Sequence, residues 1–190
     1  MRSPVAIGRK MVLANDERPT TVFLDQRRFK ELPITRADLP GFLVIGIEVR
    51  TTNAKEATAG GMIPAQWQKF VQEGILEKIP KKIGTNIYAL YTDYASDRDG
   101  EYSFVIGGMV KDGTTPPDGM VLKAVPGGHF AVHASEKGPL PKVVPGAWRR
   151  IWKLEDEKKL ERAYQTDFEI YDQRSRDPQN AQVDLYVGMK

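Results

Sequence analysis

The alternation of apolar and polar positions changes period several times along this chain, and each change marks an element. Phe42 to Thr52 (FLVIGIEVRTT) is a mostly apolar, β-branched run with an alternating tail, the pattern of a strand. A Gly-Gly break at 60–61 precedes Pro64, which suits a first helical position because its missing N–H would have no partner there. Trp67, Phe70, Val71, Ile75 and Ile79 then recur at three-to-four spacing, which predicts an amphipathic helix of about four turns, stopped by Pro80. NIYALYTDY (86–94) and EYSFVIGGMV (101–110) predict a hairpin around Ser96–Gly100. MVLKAV (120–125) and HFAVHAS (129–135) flank a Pro-Gly-Gly turn at 126–128. Pro145 opens a second helix with Trp148, Ile151 and Trp152 on one side, and DFEIYD (167–172) with AQVDLYVGM (181–189) predicts a closing hairpin. Residues 1–41 read differently, with charge, turn formers and Pro4, Pro19, Pro33 and Pro40. They predict an N-terminal extension, partly disordered over Met1–Arg18, with a candidate edge strand at Thr21–Leu24.

The pattern occurs twice. A shift of 80 lays Tyr91 on Tyr171, Asp97 on Asp177, Val105 on Leu185, Gly108 on Gly188 and Met109 on Met189; a shift of 81 lays Pro64 on Pro145 and Trp67 on Trp148. Two strand–helix–strand–strand repeats are expected, at 42–113 and 119–190, joined by a Pro/Gly linker. The fold class is α+β, with the two pseudo-symmetric repeats forming a mainly antiparallel sheet that carries two main helices and a central groove. Grooves at such internal interfaces favour small-molecule sites. One position breaks the symmetry, because Ala89 stands where Glu169 stands.

Composition narrows the chemistry. With 41 % hydrophobic and 28 % charged residues in 190, the chain has the make-up of a soluble globular domain with a buried core. A net charge of +3 is too small to argue for nucleic acid. The absence of cysteine excludes disulfides, thiolate metal sites and a cysteine nucleophile. No apolar run approaches the roughly 18 residues of a membrane helix, and the N-terminus lacks a charged-then-apolar leader pattern, so a cytoplasmic location without membrane contact is expected. His129 and His133 have no nearby third ligand, and Asp97–Glu101 lacks the spacing of a calcium loop, so neither metal nor cofactor is expected.

Glu169 is the residue with most to offer. On a strand it shares a face with Tyr171, while Phe168 and Ile170 take the other. A cation in contact with such an acid gains about 4 kcal/mol at an effective dielectric near 20, before the cost of desolvating both ions. Neighbouring rings add about 0.5–2 kcal/mol of cation–π attraction. The plainer alternative is an acid on a solvated face. Trp67, Trp148, Trp152, Tyr88, Tyr91 and Phe130 read either as core packing or as pocket walls. Tyr164 reads either as a donor to a guest or to Glu169, or as purely structural. The charged stretch 155–162 reads as solvated helix surface.

Several stretches together resemble a known family: VIGIEVRTTN (44–53), IPAQWQKF (63–70), IYALYTDYASDRDGEYSFVIG (87–107), GMVLKAVPGGHFAVHASEKGP (119–139), AWRRIW (147–152) and DFEIYD with QVDLYVGM. They are similar to GyrI-like small-molecule-binding proteins, above all to the integron-cassette effector-binding branch and the effector domains of AraC-type and multidrug-sensing transcription regulators. The resemblance runs from Phe42 to Lys190 and implies an effector-binding domain that takes lipophilic, cationic small molecules in its groove against an acid on the second repeat, here Glu169. It implies a stand-alone effector-binding protein acting in transcriptional regulation, through a regulatory protein partner, or in drug and toxin sequestration. No direct nucleic-acid contact is implied, since nothing in 1–41 reads as a helix-turn-helix. Some members of the superfamily resemble hydrolases that open cyclopropyl rings in electrophilic toxins, and the enzymatic alternative would use Glu169 as acid and base. Oligomeric state is not legible in the sequence.

Overall fold

The structure, a computed structural model, describes residues 34–190; the candidate strand Thr21–Leu24 lies outside them. Eight strands, β1 (Thr35–Leu39), β2 (Phe42–Thr52), β3 (Ile87–Thr92), β4 (Glu101–Val110), β5 (Val121–Val125), β6 (Gly128–Ala134), β7 (Thr166–Tyr171) and β8 (Asp184–Gly188), form one antiparallel sheet in the order β1-β6-β8-β7-β3-β4-β2-β5. Helices α1 (Asn53–Glu56), α2 (Ile63–Gln72), α3 (Ile75–Lys78) and α4 (Leu140–Asp156) accompany it. Period-two alternation sorts the strand residues into two faces. On one, Phe70 and Ile75 of α2 and α3 pack on Ile47, Ala89, Phe104 and Ile106, while Trp148 and Ile151 of α4 pack on Ala131, Leu185 and Val187.

The other face curls onto itself as a half-barrel. Phe42 of β2 lies 5.3 Å from Phe168 of β7, although β4 and β3 separate the two in the sheet, and Phe168 stacks on Tyr186 at 4.7 Å. The curl requires glycine at one place. Gly46 and Gly107 face each other across β2 and β4. A Cβ on Gly46 would stand 2.1 Å from the carbonyl oxygen of Ile106, and one on Gly107 2.0 Å from that of Ile45.

The edges are exchanged between the halves. β1 precedes the first repeat but pairs with β6 of the second, and β5, inside the second repeat as bounded at 119–190, pairs with β2 of the first. The register carries straight through: Leu39 faces Gly128, and three residues on, Phe42 faces Val125. The chains cross at Pro40-Gly41 and Pro126-Gly127, where a Cβ on Gly127 would lie 2.8 Å from the amide nitrogen of Gly41. The stretches flanking the Pro-Gly-Gly turn therefore do not pair with each other. β1 also falls within 1–41, where its single buried side chain, Ala37, gave no periodicity to read.

Three further expectations need correction. The first helix is broken, because Gly74 adopts the left-handed conformation (φ 57°) that ends α2, so Val71 turns out to solvent at 70 % exposure while Ile75 and Ile79 stay buried. The second helix starts at Leu140 rather than Pro145, with the Leu140 N–H bound to the Pro178 carbonyl; Pro141 takes the early-helix position and Pro145 costs one later hydrogen bond. The repeat also slips by one residue. Leu90 faces Val105 in β3–β4, and its counterpart Ile170 faces Asp184 in β7–β8, so Val105 corresponds to Asp184 and the Gly108–Gly188 and Met109–Met189 matches are out of register.

Candidate functional site

Alternation along β7 points Asp167, Glu169 and Tyr171 toward the helices and Phe168 into the opposite core. Glu169 pairs directly with Ala89 of β3, which is its own counterpart under the shift of 80. It therefore sits on the pseudo-twofold axis, at the seam between the repeats and between the two helix layers. It is 1 % exposed. Tyr91 donates to its Oε1 at 2.8 Å, the Trp148 indole N–H donates to the same oxygen at 2.6 Å, and Tyr171 donates to Oε2 at 2.6 Å. The indoles keep the symmetry that the acid breaks, since Trp67 meets Tyr171 edge-on at 4.8 Å and Trp148 meets Tyr91 at 4.9 Å. Burial pushes the Glu169 carboxyl up from its ordinary value, against the pull of its three donors. Burial, and then the neighbouring Glu169 charge, push the Tyr91 and Tyr171 phenols up, so both keep their protons.

Two residues along the strand, Asp167 has a different environment. Arg162 donates to its Oδ2 at 2.5 Å, Tyr94 to the same atom at 2.7 Å and the Gly188 N–H to Oδ1 at 2.8 Å. Both ionic side chains are buried. The Arg162 guanidinium stacks over Tyr164 at 4.3 Å and lies 5.7 Å from the Trp148 ring, so it backs the indole that serves Glu169. Burial is the largest single influence on Arg162 and works against its charge, but Asp167, Tyr94 and Tyr164 together outweigh it and hold the guanidinium protonated.

Of the residues singled out from the sequence, Glu169, Tyr171, Tyr91, Trp148 and Trp67 come together here. Trp152 stands one helical turn beyond, its ring 6.5 Å from Trp148. Tyr88 and Phe130 do not join them, because strand alternation places both in the opposite, self-packed core. Tyr164 does not reach Glu169; its hydroxyl donates to Glu155 and its ring lies against Arg162. The stretch 155–162 is not all solvated surface, since Leu160 and Arg162 are buried. Sequence reasoning missed Arg162 and Asp167, although Asp167 lies in the same alternation as Glu169, and it missed Tyr102 and Phe104, whose rings meet Tyr91 at 5.6 and 5.1 Å.

His133 is a second buried surprise. It occupies the place under α4 that Ile47 holds under α2, and neither ring nitrogen has a hydrogen-bond partner. Burial, aided by Arg150 and opposed by Asp184 and Glu136, pushes its imidazole down from 6.5. With the folded value depressed, the unfolded chain takes up the proton first, so His133 costs stability as pH falls below about 6.5. His133→Leu is expected to flatten the loss of urea resistance between about pH 7.5 and 5.5 relative to the parent protein. An unchanged slope would exclude His133 as its source.

Comparison with known proteins places these features in a family. Residues 37–189 match the model of the integron-associated effector binding proteins. The Bacillus subtilis (strain 168) protein YobU, whose name assigns it provisionally to the transcriptional regulators, is 34 % identical over 160 residues, covering 83 % of this chain and 96 % of that one. The Pseudomonas aeruginosa transcriptional regulator BrlR is 31 % identical over 184 residues, and the match covers 95 % of this chain and 63 % of that regulator's length. Among solved structures, an integron cassette protein from the mobile metagenome of Vibrio cholerae superposes with a TM-score of 0.66 at 28 % identity, covering 83 % of this chain and 95 % of that one. SAV2435, solved bound to tetraphenylphosphonium, superposes with a TM-score of 0.66 at 17 % identity, covering 83 % of this chain and 93 % of that one, and shares the fold. Among the described residues, no helix is long and apolar enough to cross a membrane. With its tandem repeat, curled antiparallel sheet and a family match over residues 37–189, the chain belongs to the integron-associated effector binding proteins.

Proposed function

We propose that this protein is a receptor for lipophilic organic cations and that Glu169 is their counter-charge. One observation carries the reading. Of two buried carboxylates on the helix-bearing side of β7, Asp167 is matched by a cation of the chain's own, whereas Glu169 is met by two phenols and an indole. A buried anion without a counter-ion is costly to hold, and a guest that brings a positive charge relieves that cost. Tyr91, Tyr171, Trp67 and Trp148 surround the acid with flat apolar rings that suit a bulky, delocalised cation. Because Glu169 is closed over, entry requires the Trp148 indole or the Tyr171 phenol to swing aside. The effector-binding family and the tetraphenylphosphonium held by a protein of the same fold support this choice of guest. Regulatory relatives support a role in transcriptional control exerted through a partner, with sequestration of the guest as the same chemistry without one.

Calorimetric titration with tetraphenylphosphonium and with neutral triphenylphosphine oxide tests the charge role. Glu169→Gln is expected to weaken the cation by roughly 30-fold or more, or ~2 kcal/mol. The neutral compound is expected to change by less than about threefold, since it loses no ion pair. Equal loss for both probes would remove Glu169 as counter-charge.

A further inference from the structure

The arrangement around Glu169 raises a question of charge balance that the proposed binding role leaves open. From β3 the acid meets Tyr91, from β7 Tyr171, from α4 Trp148, and Tyr102 of β4 is close enough to feel its charge. Asp167, on the same strand, is matched by Arg162. No Lys, Arg or His of the described residues forms an ion pair with Glu169.

Hydrogen-bond chemistry assigns the two oxygens different roles. The indole N–H of Trp148 donates and never accepts, so Oε1, which it meets at 2.6 Å, is an acceptor. Oε2 faces the Tyr171 hydroxyl at 2.6 Å, and a hydroxyl serves equally well as donor or acceptor. A proton on Oε2 would reverse this hydrogen bond, with Oε2–H donating to Tyr171 Oη and the phenol proton turned away, and would make the site neutral without disturbing Oε1. Resting on the binding role above, we propose that Glu169 carries a proton on Oε2 in the guest-free protein and exchanges it for the cation that enters. In this exchange the O–H bond breaks heterolytically, the proton leaves to solvent and the electron pair remains on Oε2 opposite the guest. The buried site thus stays neutral before and after binding. Burial favours the protonated form of this carboxyl, in keeping with the exchange.

The signature is proton release upon binding of a guest that has no proton of its own. Titration of the intact protein with tetraphenylphosphonium, in buffers of differing ionisation enthalpy between about pH 5 and 8, counts those protons. At the acid end the release is expected to approach about one proton per guest, with affinity rising by up to about tenfold per pH unit and levelling once Glu169 is ionised beforehand. Isotope-edited infrared spectra of glutamate-labelled protein should lose a protonated-carboxyl band and gain a carboxylate band as guest is added, a readout that needs no variant. Binding with no proton release and no pH dependence across the range would overturn the exchange and leave the receptor role standing. Failure of the cation to bind at any pH would overturn both.

Discussion

Replacing Arg162 by methionine is expected to cost about 3–5 kcal/mol of stability, because Asp167 is left buried with no counter-charge. The aspartate keeps its bonds from Tyr94 and the Gly188 N–H, but neither brings a positive charge. For a domain stable by about 5–15 kcal/mol, such a loss removes a large share of the margin. The double variant Arg162→Met with Asp167→Asn is expected to recover most of it, since the charge and its partner vanish together. Urea unfolding of the parent, the two single variants and the double variant measures the coupling directly. A single-variant loss under about 1 kcal/mol would show that the pair is not the anchor described here.

The second large effect is expected at the glycine pair that shapes the sheet. In Gly107→Val, the new Cβ would fall 2.0 Å from the Ile45 carbonyl oxygen, which is backbone and has no rotamer to yield. Relief requires β2 and β4 to part at the middle of their ladder. The loss is expected to exceed the ~1–3 kcal/mol of ordinary overpacking and to show as failure to accumulate folded protein. Gly128→Ala is the control, because a Cβ there meets nothing within 4 Å and should leave the melting temperature nearly unchanged. Similar behaviour of the two variants would remove steric closeness as the reason for glycine at 107.

Much of this arrangement was legible before any coordinates, and for a physical reason. Seven of the eight described strands lie within, or begin one residue before, runs whose apolar residues are contiguous or alternate, and the acid stood out because its repeat mate is alanine. β1 escaped because its pairing is fixed by the Pro-Gly crossing with a segment some ninety residues away, not by its own pattern. The one-residue slip escaped because matching Gly-Met pairs mimic homology, whereas the face on which a side chain lies depends on the ladder. Tyr88 and Tyr91 differ by an odd number of positions, so strand alternation already forbade placing both in one pocket. Arg162 was hidden in a charged stretch, and only three-dimensional packing distinguishes the one cation turned inward from those facing water.

The pairing of Ala89 with Glu169 carries a consequence for how such a one-sided arrangement arises. A position that pairs with its own copy would, in a dimer of identical halves, bring two glutamates side by side, with Cβ atoms about 4.5–5.5 Å apart. Two carboxylates so placed resist common ionisation, and the pair would answer a divalent guest or share a proton. Joining the halves in one polypeptide lets one copy discard its acid, so that a single negative charge on the axis suits a single positive one.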